Sequence, residues 1–153
     1  MLQRLIFAIC LVVFAQGLSA HDHSGKDHSH HKSQGHKHHS HQKLEIKPGD
    51  PIPQVSLTVT PDARRGWNIQ VITQNFRFAP EKVNMANSSG EGHGHLLING
   101  KKHTRLYSNW YYLESLPPGD HQITVTLNAN GHQELASQGK VISATTMIKV
   151  PAQ

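Results

Sequence analysis

Beyond residue 54, apolar and polar side chains alternate with a period of two, the spacing of strands buried on one face. Val55, Leu57 and Val59 share one face of QVSLTVT. Trp67, Ile69 and Val71 share a face of the next segment, and Ile123, Val125 and Leu127 do so in HQITVTLN. Turn-forming residues separate these runs: Pro61-Asp62, Asn87 to Gly90, Asn99-Gly100, Pro117 to Asp120, Asn130-Gly131 and Gln138-Gly139. No window carries a 3.6-residue apolar stripe of helical length. The pattern predicts an all-β fold: an immunoglobulin-like antiparallel β-sandwich of about seven strands over residues 54–153. The proline-rich LEIKPGDPIP, residues 44–53, reads as a linker.

The first 43 residues obey different rules. Arg4 precedes the unbroken apolar run Leu5 to Phe14, which is too short to span a bilayer and has the length of a signal-peptide core. Small residues at Ala15, Gly17, Ser19 and Ala20 predict cleavage after Ser19 or Ala20, so residues 1–20 are a signal peptide. The mature protein is expected to be periplasmic or secreted, with no membrane insertion after cleavage. Residues 21–43, HDHSGKDHSHHKSQGHKHHSHQK, hold no aliphatic or aromatic side chain. Such a segment has nothing to bury against the entropy of ordering and is expected to be disordered.

Composition then points to histidine. The chain has 14 histidines against 15 lysines and arginines, and a formal charge of +5. Its one cysteine, Cys10, leaves with the signal peptide, which excludes disulfide scaffolds, cysteine zinc fingers and iron–sulfur sites. Nine histidines crowd the tail: His21, His23, His28, His30, His31, His36, His38, His39 and His41. Neutral imidazoles at that density can wrap a borderline divalent ion, Zn²⁺ or Cu²⁺, with Ni²⁺ a further candidate. Lacking a thiolate and with only Met85 and Met147 in the mature chain, it is not built for Cu⁺. If cleavage falls after Ala20, the α-amine, two amides and the ring of His23 can close around Cu²⁺ or Ni²⁺ in a square plane. Arg64-Arg65 and Lys101-Lys102 are too sparse for a nucleic-acid stripe.

Within the domain, GEGHGHLLINGKK, residues 90–102, carries the chemistry. If Gly94 is extended, His93 and His95 leave one face of a strand and can serve one metal. Glu91 is a candidate carboxylate ligand or an acceptor for an imidazole N–H. Asn99-Gly100 signals a two-residue hairpin, which pairs Ile98 with Lys101, Leu96 with His103 and His95 with Thr104. His103 then faces away from His93 and His95. His132, after LNANG, lies at a loop tip from which it can reach the same rim, and His121 has core parity. Tyr107, Trp110, Tyr111 and Tyr112 offer either a stacking platform for sugars or bases or, the favoured reading, core and a turn.

GEGHGHLLINGKK, together with NFRFAPE, RLYSNWYYL and LPPGDHQITVTLNANGH, resembles small, uncharacterised exported bacterial β-sandwich proteins with a GxGHxHLxxNGxK core. That resemblance implies an envelope or external location but no activity. NFRFAPEKVN is more distantly similar to a cupredoxin strand, without the cysteine a blue-copper centre needs, and the export-plus-sandwich plan is similar to CopC-type copper proteins. The expected function is binding, not catalysis: capture, buffering or delivery of Zn²⁺ or Cu²⁺, with an envelope transporter or metalloprotein as partner. The alternative is an immunoglobulin-like interaction module in which metal binding is incidental. On the ordinary histidine pKa of ~6.5, binding is expected to weaken below about pH 6.

Overall fold

The computed structural model describes residues 42–152. The expected signal peptide, residues 1–20, and the tail histidines His21, His23, His28, His30, His31, His36, His38, His39 and His41 therefore lie outside the described residues. Eleven strands follow in order: β1 (Lys43–Glu45), β2 (Gln54–Pro61), β3 (Trp67–Gln74), β4 (Arg77–Phe78), β5 (Glu91–Ile98) and β6 (Lys101–Leu106) come first. Then come β7 (Trp110–Leu113), β8 (Gly119–Asn128), β9 (Glu134–Ser137), β10 (Lys140–Val141) and β11 (Ser143–Val150). A single 3-10 turn, Pro80–Lys82, separates β4 from β5. No helix among the described residues is long and apolar enough to cross a membrane.

The strands form two sheets in a β-sandwich-like arrangement. The smaller has the order β2-β3-β7, and the larger follows β1-β9-β8-β5-β4 with β10, β11 and β6 pairing to β9, β8 and β5. Between the sheets, Ile69, Val71, Leu96, Leu106, Leu113, Ile123 and Val125 are buried, and the alternating Val55, Leu57 and Val59 of β2 pack against them. Removing seven such side chains from water is the main favourable term for the fold. A second cluster, Leu127, Ala129 and Leu135, lies toward the end of β8.

Four details depart from expectation. Eleven strands replace about seven because short pieces such as β4 and β10, two residues each, fall below the length at which alternation is visible. The sheet is not purely antiparallel, since β1 pairs with β9 and β4 with β5 in parallel. The stretch 44–53 is not all linker: Leu44 and Ile46 have an apolar cluster to cover, and β1 hydrogen-bonds along β9. Of the four aromatics, Tyr111 alone packs against the core. Period-two alternation on β7 turns Trp110 and Tyr112 outward, 58% and 49% exposed, and Tyr107 is 39% exposed.

The β5–β6 hairpin decides where the candidate ligands point. Asn99 and Gly100 have φ of 51° and 76°, the left-handed pair a two-residue turn of this hand requires, and Ile98 pairs with Lys101 as expected. A bulge then inserts one residue, so Leu96 pairs with Thr104 and His95 with Arg105 in place of Thr104. His103 lies 3.2 Å from the Tyr111 hydroxyl of the smaller sheet, away from His93 and His95.

Candidate metal centre

β5 is covered on both faces. Leu96 enters the core between the sheets, while His93 and His95, on the opposite face, are still only 0% and 2% exposed. Gly92 permits this depth: a Cβ there would stand 2.0 Å from the Asn128 carbonyl oxygen of β8, so no larger residue fits the close strand approach.

His132 arrives from the loop between β8 and β9. It has φ of 72°, and its amide bonds the Ala129 carbonyl at 2.9 Å. Buried Asn128 donates to the His132 carbonyl at 3.2 Å and is itself held by the Thr126 hydroxyl at 2.9 Å. The ring comes to rest with Nδ1 3.2 Å from His93 Nε2, while His95 Nε2 lies 3.1 Å from the same atom. All three ligand nitrogens fall within 4.8 Å of one another. Two nitrogens of a tetrahedral zinc site with bonds of ~2.0–2.1 Å stand about 3.3 Å apart, so the triangle is close to the size an ion requires. Three ligands would leave a fourth position open.

Supporting contacts orient the rings. His132 Nε2 lies 2.6 Å from Asn84 Oδ1, so that N–H donates to the amide oxygen and Nδ1 presents its lone pair to the cluster. Lys102 Nζ lies 3.0 Å from His95 Nε2 and donates to it. With His132 in that neutral tautomer, His93 Nε2–H lies between two acceptors, and the buried His93 Nδ1 has no partner among the described residues. To hold a metal ion in the triangle, His93 would carry its proton on Nδ1 instead of Nε2, and the Lys102 ammonium would have to swing away from His95 Nε2.

The electrostatics keep His93 neutral. Burial, then the charges of His132, Arg105 and Lys102, push His93 down to about 4 from an ordinary 6.5. Lys102 is lowered as well, by burial and then by Arg105. Deprotonated imidazole is the form that binds metal, so His93 needs no proton removed from an imidazolium at neutral pH.

Glu91 is not a ligand. Its carboxylate accepts from Lys82 at 2.7 and 2.9 Å and from Arg77 at 2.7 Å, and Asn130 approaches at 3.4 Å. The Lys82 hydrogen bond is the chief reason its pKa falls to about 2. Glu91 instead ties together the segments that carry Asn84 and His132. His121, buried at 6% exposure, bonds Asn99 and the Pro117 carbonyl at the far end of β8 and takes no part.

Sequence reasoning placed His93, His95 and His132 among the candidates and missed Asn84, Asn128 and Lys102. Asn84 carried one local signal, an asparagine in KVNMAN at a position that adopts φ of 68°. Lys102 carried a signal too, since the Asn99-Gly100 turn pairs it with Leu97, on the face of β5 that His95 shares, before the bulge intervenes. Fold and site together define an all-β protein with a buried three-histidine group close enough to hold a metal ion. Comparison with known protein families, curated proteins and solved structures returned no match.

Proposed function

We propose that this is an exported metal-binding protein which holds Zn²⁺ or Cu²⁺ at His93, His95 and His132. Its His-rich tail collects ions and passes them to that site or to an envelope partner, and no chemical reaction is catalysed. The observation that carries this reading is the convergence of three imidazole nitrogens from two separate segments, with separations of 3.1 and 3.2 Å. Core packing alone gives no reason to bury two adjacent imidazoles against a half-buried third, because apolar side chains would fill the same space without their desolvation cost. The signal-peptide pattern of residues 1–20 supports export.

The test is calorimetric titration of the mature chain with Zn²⁺ and with Cu²⁺, alongside a form lacking residues 21–41 and the His93→Ala/His95→Ala variant. The shortened form should bind one ion per chain, and the double variant should lose that ion while the tail still binds. Absence of sub-millimolar uptake by the shortened form overturns the reading of the domain site.

A further inference from the structure

The outward face of the smaller sheet has a character unlike the rest of this chain. None of the outward residues of β2, β3 and β7 is Asp, Glu, Lys, Arg or His, although the protein is rich in cationic and imidazole side chains. Strand register builds two rows across it. Trp110 stands beside Gln70 and Thr58, and Tyr112 beside Asn68 and Thr60. Trp110 and Tyr112 are successive same-face positions of β7, whose backbone repeat is about 6.8 Å. The remaining outward positions are Gln, Ser and Ile, and a shallow pocket opens at the far end between Gln54, Ser56, Ile72 and Gln74.

We propose that this face binds a neutral polysaccharide. A pyranose ring has an apolar C–H surface edged by hydroxyls, and it needs aromatic planes flanked by amide and hydroxyl groups that both donate and accept. Trp110 and Tyr112 supply the planes, and the amides and threonines of the two rows supply the hydrogen bonds. Exposure of 58% for Trp110 and 49% for Tyr112 marks a contact surface that the fold itself does not require. The missing charges choose between aromatic-binding polymers. A single-stranded nucleic acid would need lysines or arginines to follow its phosphates, and this face has none. The tyrosine is also fixed: its hydroxyl donates to the Arg65 carbonyl at 2.7 Å, which limits the entropy lost when a sugar stacks on the ring.

The experiment is affinity electrophoresis of the mature chain toward the cathode, in gels containing hydroxyethylcellulose, glucomannan, xyloglucan or dextran. At least one polymer should retard the protein. Trp110→Ala and Tyr112→Ala should each weaken that retardation about tenfold, the size of a lost aromatic anchor. Trp110→Phe should restore part of it, and His93→Ala should leave it intact. Thr58→Glu, an exposed change that leaves the core untouched, should weaken it as well and covers the case in which an aromatic variant fails to fold. The proposal is overturned if none of the four polymers slows the wild-type chain, or if Trp110→Ala, Tyr112→Ala and Thr58→Glu all migrate as the wild type does. It is equally overturned if the face instead holds a second copy, seen in sedimentation as a dimer that Trp110→Ala dissociates, or if it binds an oligothymidylate.

Discussion

Two groups of histidines share this chain and differ in almost everything except the side chain. Nine lie between His21 and His41, in a stretch with no apolar residue to order them. Three others, His93, His95 and His132, are gathered by a strand and a loop into a triangle with ligand nitrogens within 4.8 Å. On the proposed function, the tail would bind through number alone. In the domain, the same imidazole is desolvated, and His93 titrates near 4 where an ordinary histidine titrates at 6.5. Number sets the tail histidines apart in the sequence, while burial and convergence set apart those of the domain.

The comparison breaks most directly at the ligands. His93→Ala with His95→Ala should weaken the tightest site by more than the ~100-fold that loss of a supporting hydrogen bond can cause. Deleting residues 21–41 should lower the number of ions bound and leave that affinity unchanged. Titration calorimetry reads both quantities, and a tightest site that leaves with the tail would reverse the assignment.

Acidification should separate the two groups by stability. Unfolded, His93 takes its proton near 6.5; folded, it does so only near 4. Between these values the unfolded chain binds more protons, so the metal-free domain is fully stabilised above about pH 6.5 and loses stability as pH falls toward 4. The expected loss is on the order of 3 kcal/mol. Urea unfolding across that range measures it, and His93→Gln should flatten the slope. An equal slope in the variant would mean that another group carries the linkage.

The supporting contacts should give smaller effects. Asn84→Ala frees the His132 ring from its 2.6 Å partner and should weaken metal binding about tenfold without changing the fold, as checked by circular dichroism. Lys102→Met removes the ammonium 3.0 Å from His95 Nε2 and should tighten binding severalfold at low salt. Unchanged or weaker binding by this variant would show that the ammonium does not compete with the ion.

Much of the fold was readable from alternation, since β3 and β8 bury Ile69, Val71, Ile123, Val125 and Leu127, and β2 packs the half-buried Val55, Leu57 and Val59 against the core as its period-two pattern assigned. The H-x-H spacing likewise placed His93 and His95 on one face, because an extended Gly94 leaves strand geometry no other choice. The aromatics misled for an instructive reason. Three consecutive rings, Trp110 to Tyr112, cannot all face inward on a strand, and hydrophobic character alone does not say which one does.

The sequence by itself determined the all-β class, the Asn99-Gly100 turn and the parity of each histidine along its own strand, because these depend on residues close together in the chain. Tertiary structure alone decided that His132 meets His93, 39 positions away, that a bulge shifts His95 from Thr104 to Arg105, and that Glu91 anchors loops and takes no place among the ligands. These are distances between segments whose separation along the chain carries no geometric information. They are fixed only when the buried strands have packed, and the loss of water around His93 that lowers its pKa follows from that packing.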